Sequence, residues 1–274
     1  MLPDHNPQKK PLRLMDIGPA VFAQIRGHAE AFVLFVVLWA VLSTIVASPM
    51  MADLTLWQKT METDQEAGMA MLSDLAPKLI VQSGVSLFLA VIIPVLWSRL
   101  LLMGRGMVLS KGLLAAYGKA LIRTAALLGY QFLVVIGLLI ASILVMAVAG
   151  LIGLGEGAAS TLMVMLVVAG MLPVYLAYCL SVVAVSVGAA DGGIAGSLKR
   201  MKAFWKPYVA LSVIVPLGLS LLGGVISIPL IGEDGTPGRL AILVGAVFNG
   251  ISLLFIFTAA VVLHRHDHAD PLAD

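Results

Sequence analysis

The chain has 274 residues, of which 60% are hydrophobic and 12% charged, against about 45–50% apolar and about 25% charged in a soluble domain. Those proportions exclude a disordered chain, a collagen-like repeat and a disulfide scaffold, and leave too few charges to cover a soluble globule. The lone cysteine, Cys179, lies inside an apolar run, so an internal disulfide and a thiolate metal site are both excluded.

Charge-free intervals locate the expected spans. Residues 1–30 carry Lys9, Lys10, Arg13 and Arg26 and are predicted to form a cytoplasmic tail and an interfacial helix, with Pro19 in its first turn. Uncharged stretches of 22, 20, 32, 34, 26 and 25 residues then follow Glu30, Lys78, Arg123, Glu156, Lys206 and Arg239. A helix needs about 20 apolar residues to cross about 30 Å of hydrocarbon, so each qualifies. Spans are predicted near 31–52, 79–98, 124–150, 158–188, 207–231 and 240–263, with 264–274 as a second cytoplasmic tail. None alternates with a period of two, which excludes a transmembrane barrel. The first interval is too long, and its polar lead too extended, for a cleaved signal peptide.

Basic residues give the orientation. Fourteen of the 17 fall on one side: Lys9, Lys10, Arg13 and Arg26, then Arg99, Arg105, Lys111, Lys119 and Arg123, then Lys199, Arg200, Lys202 and Lys206, then Arg265. The other side holds Lys59, Lys78 and Arg239 with eight acids. The positive-inside rule then puts both termini in the cytoplasm.

Each basic segment enters the next span in one register. Arg26, Lys119 and Lys202 stand five residues before Ala31, Thr124 and Pro207; a small residue follows each (Gly27, Ala120, Ala203), and Glu30, Arg123 and Lys206 come four positions on. The expectation is three helix pairs, each preceded by a cytoplasmic interfacial helix, with Ser110 capping the second such helix and Asp191 or Ser197 opening the third. These anchors, with the terminal run FIFTAAVVLHR (Phe255 to Arg265), resemble bacterial six-span inner-membrane proteins related to the membrane domain of glycerophosphoryl diester phosphodiesterases. The resemblance implies six helices with interfacial helices on the cytoplasmic rim; it carries over no catalytic residue.

An ionisable residue within a span marks a functional site by default, because burying its charge is costly. No Asp, Glu, Lys, Arg or His falls inside the six predicted spans, which argues against a proton-coupled pump and an intramembrane acid–base enzyme. The polar residues that do enter spans are Gln82, Ser83, Ser86, Tyr130, Gln131, Tyr175, Tyr178, Ser181 and Asn249. They read as interhelical glue or as a stripe lining a cavity. Pro94, Pro173, Pro216 and Pro229 interrupt spans, either as packing kinks or as the broken helices of a transporter.

Between 49 and 78, the chain combines five methionines with five acids. Thioethers suit Cu(I), but Leu54, Trp57 and Met61 at helical spacing read first as an amphipathic helix on the outer surface, facing lipid. Trp57, Met61, Met69 and Met71 are its candidate partner-docking residues. His264, His266 and His268 resemble zinc-ligand spacing, yet read more simply as a histidine-rich tail; no metal and no cofactor are expected.

Lipid best explains the basic rim, since each Lys or Arg near an anionic leaflet gains about 1 kcal/mol. Arg26, Lys119, Arg123, Lys199, Arg200, Lys202 and Lys206 are the candidate anionic-lipid contacts, with Trp205 as an interface anchor. No soluble basic domain presents a nucleic-acid surface. The chain reads as a non-enzymatic inner-membrane protein of bacterial type with an accessory, assembly or lipid-organising role, partnered by anionic lipids and by another membrane protein or a second copy. The alternatives are a permease or channel for an apolar or amphipathic solute and, after it, an intramembrane enzyme.

Overall fold

Long apolar stretches bounded by charge fold here as long helices, because helices satisfy every backbone group internally. A computed structural model describes residues 13–110, 112–152, 156–189, 193–232 and 237–268. Its helices are α1 (Leu14–Gly27), α2 (Ala29–Thr63), α3 (Gln65–Met103), α4 (Leu113–Ile152), α5 (Glu156–Ser186), α6 (Gly193–Met201), α7 (Trp205–Ser227) and α8 (Arg239–His268). No strand occurs among the described residues; Ile231 and Pro237 form an isolated bridge. Among the described residues, four helical segments (α2, α3, α7 with its terminal 3-10 turn, and α8) are long and apolar enough to cross a membrane.

Their outer surfaces fit a lipid solvent. Leu34, Ile80, Val81, Leu133, Ile214 and Leu221 are all exposed, Ile80 by 72% and Leu221 by 71%. A contiguous apolar exterior on this scale is unstable in water.

The helices outrun the predicted spans. α2 has 35 residues and α3 has 39, about 52 and 58 Å at 1.5 Å per residue, so both extend well past about 30 Å of hydrocarbon. They meet at Asp64, which caps α3 by accepting from the Ala67 amide at 3.0 Å. The stretch expected to lie flat on the outer surface is instead the tip of this helical hairpin. Trp57 and Met61 turn inward: the Trp57 indole donates to the Gly68 carbonyl at 3.1 Å, and Met61 packs on Gly68 so closely that a Cβ there would overlap its Sδ. Trp57 and Met61, expected to face lipid, are covered by α3.

α2 packs against α3 and α8, α4 against α5, and α7 against α8. The buried core gathers toward one end of the bundle, where Trp97 of α3 donates to Thr258 of α8 at 3.0 Å. Phe32 and Phe35 of α2 meet Trp97 edge-on, at centroid distances of 5.6 and 5.9 Å. α1 lies at the same end: Ile17 and Val21 are fully buried, and Phe22 stacks edge-on with Phe255 of α8 at 5.7 Å.

Three local expectations change. α1 begins at Leu14, with the Arg13 amide donating to Asp16 Oδ2 at 3.2 Å, so Pro19 lies inside the helix and not in its first turn. α6 begins at Gly193, so Ser197 lies within it and not at its start; Asp191 is outside the described residues. The second basic segment is not a separate helix, since α4 runs unbroken from Leu113 through Arg123 to Ile152. The first and third segments do break, at His28 and at the 3-10 turn Lys202–Phe204. α8 also continues to His268, through residues expected in the tail.

Candidate functional site

The ends of α3, α5 and α8 meet beside α6 and the start of α7, and the candidate basic residues collect there. α6 leaves a turn whose Gly193 has φ +75°, and a Cβ on Gly193 would stand 3.2 Å from the Arg123 guanidinium. The left-handed backbone favours glycine, and a side chain there would have to displace the guanidinium by a few tenths of an ångström. Arg123 therefore rises half-buried from α4 and lies against the first turn of α6, as a long cationic side chain does when its stem crosses apolar surface.

Down α6 and into α7, Lys199, Lys202 and Lys206 are exposed. Arg200 turns inward instead. It reaches Asp267 of α8 at 3.7 Å and donates to Ser197 Oγ at 3.1 Å, beside the buried His264. Trp205 is half-buried between Phe204 and Lys206. Arg26 and Lys119 are exposed on α1 and α4. Of the seven candidates, five thus present their charge outward, while Arg123 and Arg200 knit α6 to its neighbours.

Two arginines counted as rim charges do structural work. Arg99 is 3% exposed in the last turns of α3. It donates to the carbonyls of Val108 at 3.0 Å, Ser186 at 2.8 Å and Met107 at 3.1 Å, and to Ser110 Oγ at 2.8 Å. Ser110, expected as a helix cap, receives this guanidinium as well. Arg265 of α8 donates to the Leu101 carbonyl. Helix C-termini leave carbonyls without intrahelical donors, and here arginines supply them. Sequence spacing offers one signal for this: Arg99 is followed by only four residues before Gly104, which ends α3 with φ +81°.

Four of the polar residues expected within spans, Tyr130, Tyr175, Tyr178 and Asn249, are placed by a hydrogen bond or a groove. Thr124 and Tyr178 share a hydrogen bond at 2.9 Å between α4 and α5, and Tyr130 donates to the Gly170 carbonyl at 3.3 Å. Tyr175 and Asn249, with Ser220 and Pro216, line a groove of about 420 Å³ between α5, α7 and α8.

At the opposite end, the four docking candidates do not form one exposed patch. Met69 is 58% exposed, Met71 is half-buried, and Trp57 and Met61 are occupied within the hairpin. Among the described residues, no three His, Cys, Asp or Glu side chains come together as a metal site would require. Comparison with protein-family models, curated proteins and solved structures found no match to the chain.

Proposed function

We propose that the chain is a six-span, non-enzymatic protein of a bacterial inner membrane that organises anionic lipid at its cytoplasmic rim. α4 and α5 join α2, α3, α7 and α8 as spans, in three helix pairs with both termini cytoplasmic. The exposed Lys199, Lys202 and Lys206 along the α6–α7 corner carry this reading. They stand together beside the interface anchor Trp205, at the end of the bundle where α3, α5 and α8 also finish. Three cations on one short segment would attract an anionic leaflet by about 1 kcal/mol each.

The test is native mass spectrometry of gently extracted protein. The wild type retains phosphatidylglycerol or cardiolipin over phosphatidylcholine, and the combined Lys199→Gln, Lys202→Gln, Lys206→Gln variant loses that preference. Equal retention by both proteins overturns the reading. Reporter fusions at Asp64 and Lys199 test orientation, with a cytoplasmic signal expected only at Lys199.

A second reading, passage of an amphipathic solute, draws on the groove of about 420 Å³ beside Pro216 and Asn249. Flux across liposomes that is abolished by Gly224→Trp supports it; absence of flux removes it.

A further inference from the structure

At the end opposite the basic rim, a cavity of about 740 Å³ opens between the second half of α2 and the start of α8. That volume falls in the range of about 300–1,000 Å³ typical of ligand sites. Its wall is largely apolar, with Ile45, Ala52 and Ile242 among the lining residues, and Lys59 and Arg239 close it at one end. Only three basic residues occur on this side of the sequence, and two of them line this one cavity.

The placement of Arg239 is the informative feature. It is the first residue of α8, and no acid stands in that first turn. A cation at a helix N-terminus opposes the macrodipole, which favours negative charge there. The first amides of any helix also lack intrahelical acceptors. The guanidinium and these amides therefore add their positive potential at the cavity mouth. Lys59 already has an interaction within the protein, so Arg239 is the principal recognition group. The Ser48 hydroxyl, also in the lining, is buried and without a hydrogen-bond partner.

A free inorganic anion would make no use of the apolar wall. Ile45 is 64% exposed, and Leu38 and Val41 of the same helix are exposed too, so the cavity opens beside an apolar surface of α2 on which an acyl chain could lie. We propose that it is a phospholipid site, with the phosphodiester at Arg239 and the amides of the first α8 turn, and one acyl chain along Ile45, Ala52 and Ile242. The site is separate from the rim and does not rest on the function proposed for it.

The experiment uses the full chain already carrying Lys199→Gln, Lys202→Gln and Lys206→Gln, so that the rim contributes least. Phosphatidylglycerol and, separately, inorganic phosphate are titrated by native mass spectrometry. Adding Arg239→Gln weakens phosphatidylglycerol binding about tenfold, the loss expected for one charged hydrogen-bond donor, and Arg239→Lys restores most of it. Ala52→Trp, which fills the cavity and keeps the arginine, weakens binding comparably. Unchanged binding in Arg239→Gln overturns the proposal, as does phosphate binding that depends on Arg239 while phosphatidylglycerol binding does not. Glu233 and Asp234 lie outside the described residues. Removing both carboxylates, with Glu233→Gln and Asp234→Asn, leaves lipid binding equal or tighter; a loss matching Arg239→Gln assigns the arginine to that loop and overturns the proposal.

Discussion

Arg99 donates to the Ser186 carbonyl at 2.8 Å, joining the last turn of α3 to the last turn of α5 across 87 residues of chain. The same guanidinium holds Val108, Met107 and Ser110, so one side chain organises two helix ends and the connection into α4.

Replacing Arg99 removes the donor and leaves buried carbonyls unsatisfied, and each such loss costs about 1–3 kcal/mol. Arg99→Met is expected to lower stability by about 3 kcal/mol or more in mixed-micelle unfolding. Arg99→Lys recovers only part, because an ammonium cannot reproduce the planar fork that reaches four acceptors. Recovery to wild-type stability with lysine would show that charge, not geometry, is what this corner needs.

The Trp97–Thr258 pair tests how α3 is held against α8. The Thr258 hydroxyl also donates to the Leu254 carbonyl at 2.7 Å. Trp97→Phe therefore leaves a hydroxyl that is still bonded, whereas Thr258→Val strands an indole N–H at a site where Trp97 has no exposure. The valine variant is expected to be the less stable of the two. A double-mutant cycle should give a coupling of about 0.6–1.7 kcal/mol, as for other hydrogen bonds inside membranes. A coupling of zero would make the indole contact incidental to its packing against Phe32 and Phe35.

Much of the helix content is legible in the sequence, for a definite reason. Charge is excluded from hydrocarbon, so charge-free intervals mark helices, and each of the six intervals overlaps one of the six longest helices. Charge does not mark the helix end. Asp53 closes the first interval, yet α2 continues to Thr63, because nothing between them breaks a helix. The same confusion put Arg99 on the rim: a cation after an apolar run looks solvated unless the carbonyls of α5, distant in sequence, are known to need donors. Segment boundaries were legible only where chemistry forces them. Gly188, after α5, and Gly193, at the start of α6, both have left-handed conformations, while Leu113 to Arg123 offers no comparable stop, and α4 runs straight through its anchor.

Close helix approach gives a paired test with its own control. A Cβ on Gly250 of α8 would stand 2.7 Å from Cδ1 of Trp39 on α2, whereas one on Gly224 of α7 meets nothing within 4 Å. Gly250→Ala must push the indole aside or part the helices, and overpacking of this kind costs about 1–3 kcal/mol. Gly224→Ala only restricts the unfolded chain and is expected to stabilise by about 0.4–1 kcal/mol. Opposite signs in the same unfolding assay are the expected result. Equal effects would mean that Trp39 yields freely.

The rim offers a discrimination that total charge does not. Lys199 and Arg200 are adjacent and carry the same charge, but Lys199 is exposed while Arg200 is committed to Asp267 and Ser197. Lys199→Gln should reduce binding to phosphatidylglycerol by about 1 kcal/mol in low salt, and the difference should fade as added salt shortens the screening length. Arg200→Gln should change lipid binding less, since its guanidinium is turned toward Asp267 and Ser197 and away from the outer surface. Its signature is instead a loss of stability, of about 1 kcal/mol or less for a half-exposed ion pair. Vesicle co-flotation and micelle unfolding, run on both variants, separate the roles. If the two variants exchange these phenotypes, the lipid contact lies on the α8 side of α6, and the exposed lysines are not its carriers.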